Sequence, residues 1–172
     1  MMRQPTVDPL EWGEVYEAHA IRLTRLAVVL VGPTDAYDLV ADSVLRAVSS
    51  PAWVQVESQG AYLTRTLTNL AHDRRVQRDR RERRELRASR RSPPPVLTPM
   101  RDIEREVVVR RALAGLSAAQ AAVAFLHYWE DLTIEQIADH LDMRIGTTRT
   151  HLARAKRSLR ALLTTSEREA TS

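Results

Sequence analysis

The sequence predicts an all-α protein of two small helical domains, joined by a flexible proline-rich linker, with a helix-turn-helix ending the second domain. Three observations support this fold class. Apolar residues recur at three- and four-residue spacings, whereas the alternation typical of strands is scarce and the chain has only five glycines. Prolines 93–95 interrupt the helical pattern. The stretch Asp131–Leu163 has the pattern of two helices joined by a tight turn.

Composition excludes several classes of protein. Hydrophobic residues make up 44% of the 172 residues and aromatics only 5%, so aliphatic side chains must fill the cores. The absence of cysteine excludes disulfides, cysteine-based zinc sites and thiol catalysis. The longest apolar run, residues 26–31, is too short to span a bilayer, and the N-terminus has no signal-peptide pattern. We therefore expect a soluble, cytoplasmic protein without a membrane partner.

The first helix is predicted to begin at Asp8-Pro9, with Asp8 as the cap and Pro9 in the first helical position. It should end at Gly32-Pro33. A histidine, His19, falls on its inward face, and we expect it to pack there rather than to act in catalysis. The predicted inward face consists of Trp12, Val15, Tyr16, His19, Leu23, Leu26, Ala27 and Leu30.

The second helix is predicted over Asp35–Ser49, with Val40, Val44 and Ala47 facing inward. Its outer side carries a charged line spaced by four residues. This line either docks a partner or is a solvated face held by pairing of charges one turn apart. The charged line consists of Asp38, Asp42 and Arg46.

Residues 50–60 are predicted to form a loop that carries Trp53, which either covers an edge of the core or stacks on a base. A third helix follows, with an apolar stripe of Leu63, Leu67 and Leu70. Residues 74–91 contain ten arginines and only three acidic residues. The positive net charge of this segment is therefore larger than the net charge of +4 of the whole chain. Such a block suits a phosphate backbone and predicts salt-sensitive binding; the alternative is a solvated helix end.

The composition divides the chain into four parts. Residues 1–88 form the first predicted domain, 89–101 the linker, 102–165 the second domain, and 166–172 a polar tail expected to be disordered. In the second domain, Ser117 with Gln120 predicts a capping box before another helix.

The helix-turn-helix begins with a second predicted capping box, Thr133 with Gln136, and breaks at residues 142–144. Gly146-Thr147 then opens a second helix, whose apolar stripe is Thr148, Leu152, Ala155, Leu159 and Leu162. Basic and hydroxyl groups cover the other face, as in helices that enter a DNA groove. The alternative is an ordinary antiparallel helix pair with a solvated basic face. The outer face consists of Arg149, Thr150, His151, Arg154, Lys156 and Arg157.

Taken together, these segments resemble an extracytoplasmic-function sigma factor, the smallest type of the bacterial sigma-70 family, over roughly residues 10–163. VYEAHAIRLTRLAVVLVGPTDAYDLVADSVLRAV is similar to the first two helices of its region two, and AYLTRTLTNLAHDRRVQRDRR to the third segment. ALAGLSAAQAAVAFLHYWEDLTIEQIADHLDMRIGTTRTHLARAKRSLRALL is similar to region four. The resemblance implies a bacterial, more narrowly actinobacterial, source.

The resemblance implies a non-enzymatic protein without cofactor, metal or catalytic residues. It would direct core RNA polymerase to specific promoters and promote DNA melting. Its implied partners are the β′ coiled coil and β flap of polymerase, promoter DNA, and an anti-sigma factor.

The resemblance also implies three sets of site residues. The loop 53–58 would hold a flipped-out base of the minus-ten element, at a cost of a few kcal/mol for unpairing. In the major groove of the minus-thirty-five element, arginine can pair with guanine and threonine can serve several bases. The implied polymerase-binding residues are Asp38, Leu39, Asp42, Leu45 and Arg46. The implied minus-ten residues are Trp53, Val54, Tyr62, Arg65, Asn69, Asp73, Arg74, Arg75 and Arg78. The implied minus-thirty-five residues are Arg144, Thr147, Arg149, Thr150, His151, Ala153, Arg154 and Arg157.

Two other classes of protein fit parts of the pattern. A stand-alone transcription regulator would bind duplex DNA through the same helix-turn-helix, as a dimer on a palindromic site. A pure interaction protein would use the arginine block to bind an acidic partner or RNA. A sigma factor differs from both because it requires core polymerase to act on a promoter.

Overall fold

The fold was analysed in a computed structural model that describes residues 9–88 and 115–169. Within these ranges the chain forms six α-helices and one short 3₁₀ helix, and it contains no strand, which confirms the all-α class. The linker 89–101 and residues 102–114 of the second predicted domain lie outside the described residues. The helices are α1 (Pro9–Val31), α2 (Pro33–Val48), the 3₁₀ helix (Pro51–Gln55), α3 (Gln59–Ala88), α4 (Ala118–Tyr128), α5 (Ile134–Leu141) and α6 (Ile145–Glu169).

The turn between α1 and α2 is built on Gly32. Its φ of 87° lies in the left-handed region that glycine tolerates, and its N–H bonds the Val28 carbonyl at 3.0 Å. Pro33 then occupies the first turn of α2, so this helix starts two residues before the predicted Asp35. The segment predicted as a loop contains the 3₁₀ helix, whose cap Ser50 accepts a hydrogen bond from the N–H of Ala52.

Both predicted capping boxes are confirmed. The Ser117 hydroxyl accepts from the Gln120 N–H at 3.2 Å, and the Gln120 side chain accepts from the Ser117 N–H at 3.1 Å. Thr133 and Gln136 make the same pair of bonds at 3.2 and 2.9 Å. Each box satisfies N–H groups that the first turn of a helix would otherwise leave unpaired.

The helix-turn-helix is confirmed as α5, a short turn and α6. Asp142 ends α5 in the left-handed conformation, with φ 53°, and its N–H bonds carbonyls of the last turn. The second helix opens at Ile145, one residue before the predicted Gly146. It continues to Glu169, so the prediction of a disordered tail from residue 166 is wrong for residues 166–169. These residues include no glycine or proline, so nothing in the local sequence stops the helix there.

The core of the first half lies between α1, α2 and α3. It is built mainly from aliphatic side chains, as the scarcity of aromatics predicted, together with the buried Trp53 of the 3₁₀ helix and the partly buried Tyr16 and Tyr62. His19 on α1 is only partly buried, and burial, followed by the nearby Arg22 charge, lowers its pKa. The side chains of this core with less than 2% exposure include Leu23, Leu26, Leu39, Val40, Val44, Leu63 and Leu67.

The two halves of the described chain pack against each other. Phe125, Leu126, Ile137 and Leu141 of the second half belong to the same buried cluster as the core of the first half. The second half rests on the side formed by α1 and α3, and its α4 and α5 make the contacts. Two halves expected to be separate therefore share one continuous apolar core. None of the described helices is both long and apolar enough to cross a membrane.

Candidate functional site

The outer face of α6 is open to solvent. Seven of the eight predicted minus-thirty-five positions are exposed; His151 is partly buried. On the opposite face Thr148, Leu152 and Ala155 are buried, which fixes the rotation of the helix. A helix anchored along one side and polar along the other can enter a major groove without rearranging its own packing. The exposed positions are Arg144, Thr147, Arg149, Thr150, Ala153, Arg154 and Arg157.

Contacts on the protein orient two of these side chains. The Arg149 guanidinium lies 3.5 Å from a carboxylate oxygen of Glu135 on α5. Both side chains are more than half exposed, so this pair is weak and Arg149 can exchange Glu135 for another hydrogen-bond acceptor at little cost. The Thr150 hydroxyl donates to the Gly146 carbonyl at 2.9 Å, which leaves its oxygen free to accept from a base edge.

His151 differs from its neighbours on α6. Burial, followed by the nearby Arg154 charge, lowers the pKa of its imidazole below the ordinary value. Its Nδ1 is buried and has no hydrogen-bond partner in the described part of the chain. The lowered pKa disfavours the charged form of His151, so this residue contributes less positive charge to the outer face of α6 than its arginine neighbours do.

The outer face of α2 has the charged line that the sequence predicted. Asp38, Asp42, Leu45 and Arg46 are exposed, and Tyr37, at 67% exposure, adds an apolar group that the prediction missed. Tyr37 and Leu45, which is 57% exposed, both lie on the solvent side of α2.

Leu39 was predicted to belong to the polymerase-binding face, and this prediction is wrong. It has 0% exposure and packs in the core with Ala36 and Ser43, its helical neighbours at three- and four-residue spacing. The inward face of α2 is wider than the Val40, Val44 and Ala47 stripe because it packs on both α1 and α3. Leu39 therefore supports the exposed residues from below.

Ion pairs join α2 to α3. Asp42 binds Arg74, and Asp35 binds Arg78 at 3.0 Å between Oδ2 and Nη2. Asp42 thus pairs across helices with α3, and not with Arg46 one turn along its own helix as the solvated-face alternative required. Residues predicted to bind polymerase and residues predicted to bind DNA consequently lie side by side.

The structure also corrects the predicted exposure of Trp53. The resemblance implied that it belongs to the minus-ten residues, but it is only 5% exposed and lies in the core, which is the other alternative that the sequence left open. Its indole meets the Tyr62 ring edge-on, with ring centroids 5.9 Å apart and planes at 65°. The 3₁₀ helix turns Trp53 inward and leaves its neighbour Val54 at 89% exposure. Val54, and not Trp53, is the apolar group on the surface.

Tyr62 and Arg65 begin the predicted DNA-binding side of α3. The Arg65 guanidinium carbon lies 5.1 Å from the centroid of the Tyr62 ring, a cation–π distance. Further along the helix Asn69 and Asp73 are exposed, and Arg75 and Arg78 continue the same series of polar groups. The predicted minus-ten residues of α3 therefore follow one another along the surface of this helix.

A groove of about 430 Å³ separates the start of α3 from α5. Its α5 wall was not predicted as part of any site because the sequence was divided into independent domains. The wall is polar and includes groups that can donate or accept hydrogen bonds. The groove is lined by Val56, Glu57, Ser58, Ala61, Tyr62, Arg65, Gln136, Asp139 and His140.

Comparison with known proteins agrees with this geometry in the second half. Residues 106–159 match the family "Sigma-70, region 4", so this part of the chain is similar to a sigma-70 region 4 domain. The match includes both helices of the helix-turn-helix up to residue 159.

A relative extends the similarity to the first half. Over 158 residues the chain is 30% identical to the ECF RNA polymerase sigma factor SigE of Mycolicibacterium smegmatis (strain ATCC 700084 / mc(2)155). The alignment covers 88% of this chain and 61% of SigE, so the chain spans less than two thirds of the length of that relative.

A solved structure shows that the fold recurs. The sigma factor RpoE from Bartonella quintana, crystallised in complex with the anti-sigma factor NepR, matches with a TM-score of 0.59 at 22% identity. The match covers 90% of this chain and 97% of that one.

Proposed function

We propose that this protein is an extracytoplasmic-function sigma factor that directs core RNA polymerase to promoters and promotes DNA melting. The observation that carries the proposal is the open basic and hydroxyl face of α6, set on a buried apolar stripe in a domain similar to sigma-70 region 4. The similarity to SigE over both halves supports the larger role.

The minus-thirty-five element is read by α6 in this proposal. Arg149 and Arg154 donate paired hydrogen bonds to guanine edges, and Thr150 bonds a neighbouring base. Arg144 and Arg157, nearer the two ends of the face, neutralise phosphates and set the position of the helix in the groove. Binding is therefore sensitive to salt as well as to sequence.

The minus-ten element is held by the first half. Val54 and the Tyr62 ring, backed by buried Trp53, offer apolar surface to an unstacked base, and Arg65 stands beside it. Asn69 and Asp73 face the strand next to that base. No covalent step is required, because trapping unpaired bases shifts the equilibrium towards melted DNA.

Core polymerase binds the exposed face of α2. Asp38, Asp42 and Arg46 supply charges, and Leu45 and Tyr37 supply apolar area for a helical partner such as the β′ coiled coil. The β flap is the expected partner of the region 4 domain. An anti-sigma factor is a further expected partner, since RpoE of similar fold forms such a complex. Action on polymerase places the protein in the cytoplasm.

Run-off transcription with purified core polymerase tests the proposal. The protein alone should bind promoter fragments weakly, whereas core with the protein should initiate at defined start sites on genomic fragments. A stand-alone regulator would instead protect a palindromic duplex without polymerase. If core never initiates on any fragment while the protein alone footprints a palindrome, the proposal is wrong and the regulator is the better description.

A further inference from the structure

We propose that Glu135 of α5 is a positioning residue that sets which base pair of the minus-thirty-five element the protein selects. It acts through Arg149 of α6, which it directs towards a guanine and away from the phosphate backbone. This inference rests on the proposed function and deepens it, because Glu135 was not predicted as part of any site.

The position of Glu135 is fixed by the start of α5. The residue lies in the first turn, between Thr133 and Gln136, whose reciprocal hydrogen bonds measure 3.2 and 2.9 Å. Two residues further on, Ile137 has 0% exposure and belongs to the same buried cluster as Leu152 of α6. The backbone at Glu135 therefore cannot move relative to α6 without breaking the capping box or disturbing the core.

Arg149 lies within reach of this carboxylate from the second helix of the helix-turn-helix. Its Nη2 is 3.5 Å from Oε1 of Glu135, and the two side chains are 67% and 58% exposed. Among the side chains that the structure describes, no acid pairs with the other exposed arginines of this face, which are Arg144, Arg154 and Arg157. Arg149 is thus the arginine of the face whose direction the protein itself biases.

The carboxylate limits the contacts that Arg149 can make. An arginine on a DNA-binding helix has two competing targets, the O6 and N7 acceptors of a guanine and the oxygens of a phosphate. A guanidinium carries five N–H donors in one plane, so a carboxylate that occupies one end leaves other donors for the guanine edge. The same negative charge repels a phosphate that approaches Arg149. Glu135 therefore favours the guanine over the phosphate by disfavouring the competitor.

A weak ion pair is sufficient for this role. Exposed pairs add little to stability, so the contact leaves Arg149 able to move onto DNA. A side chain that is already directed loses less conformational freedom when it binds, and this preorganisation raises affinity for the preferred base pair. Removing Glu135 should consequently have two effects. Binding to all DNA should increase because a negative charge is lost, whereas the preference for one base pair should decline.

Initiation on a set of promoters tests the proposal, with core polymerase, the full chain, and each base pair of the minus-thirty-five element substituted in turn. Discrimination is the ratio of initiation rates, at low protein concentration, between the parent promoter and a substituted one. Arg149→Ala identifies the base pair that this arginine contacts, where discrimination should fall by about 5- to 150-fold. Glu135→Ala should lower discrimination several-fold at that base pair and at no other. It should add nothing to the loss in a protein that already carries Arg149→Ala.

Two further variants separate position from charge. Glu135→Gln keeps a side-chain carbonyl oxygen that can accept from Arg149, so it should retain more discrimination than Glu135→Ala. Asp139→Ala removes another exposed acid one turn further along α5, and it should leave discrimination unchanged at every base pair. Thermal unfolding of each variant checks that it is folded.

The opposite outcomes are distinct. If Glu135→Ala changes initiation by the same factor on every promoter, Glu135 is only a surface charge and the inference is overturned, while the proposed function stands. Equal loss of discrimination in Asp139→Ala would overturn it in the same way. A wild-type chain with which core polymerase never initiates overturns the proposed function and this inference with it.

Discussion

Replacing Trp53 by alanine separates a role in the core from a role in DNA binding. Trp53 is only 5% exposed, and its indole meets the Tyr62 ring edge-on, with the ring centroids 5.9 Å apart. Removing a buried aromatic side chain of this kind costs about 3–5 kcal/mol, which includes the cavity that remains. The matched control, Val54→Ala, removes a neighbouring side chain that is 89% exposed, so its effect on stability should stay within about 0.5 kcal/mol.

Urea unfolding followed by circular dichroism gives the free energy of unfolding for both variants, and permanganate reactivity of promoter thymines gives melting. Trp53→Ala should lower the unfolding midpoint strongly, and any fraction that remains folded should keep part of its melting activity. Val54→Ala should leave the midpoint unchanged and reduce melting. If Trp53→Ala costs less than about 1 kcal/mol while melting is abolished, the indole must reach DNA and the burial argument is wrong.

The remaining predictions concern other surfaces. Arg149→Ala should weaken initiation at promoters that depend on the minus-thirty-five element by about 1–3 kcal/mol while core binding is kept; unchanged promoter selectivity would contradict its assignment. Asp42→Arg should reduce co-purification with core polymerase and should also release Arg74, so retention of normal core binding would exclude this face of α2. Thr133→Ala should destabilise the protein by about 0.5–2 kcal/mol in thermal unfolding, because it removes the hydroxyl that accepts from the Gln136 N–H at the start of α5. The pKa of His151 is lowered in the folded state, so the unfolded chain binds more protons below about pH 6.5; stability should be full above that pH and fall as the pH drops towards the lowered pKa, with a smaller fall in His151→Gln by urea titration.

Much of the local structure follows from the sequence. The capping boxes at Ser117 and Thr133 and the break at Asp142 are encoded by neighbouring residues, since a cap or a turn needs only side chains three or four positions apart. The same holds for the rotation of α6, because Thr148 and Leu152 recur on one side of the helix. The exposure of the predicted minus-thirty-five positions could therefore be predicted almost residue by residue.

Only the tertiary structure decided which apolar surfaces meet. Leu39 and Trp53 sit beside exposed neighbours, and whether each turns inward depends on the packing of α1 and α3 around them. The pairing of Arg65 with Asp142 joins residues 77 positions apart, and the pairing of Arg22 with Glu130 joins residues 108 positions apart. The periodicity of a helix shows which of its faces is apolar, but it does not show which other element covers that face. Hydrophobic burial is non-directional, so the partner cannot be inferred from the pattern. The sequence thus determined the helix-turn-helix and its caps, while long-range packing brought the turn at Asp142 against Arg65 of the predicted minus-ten surface.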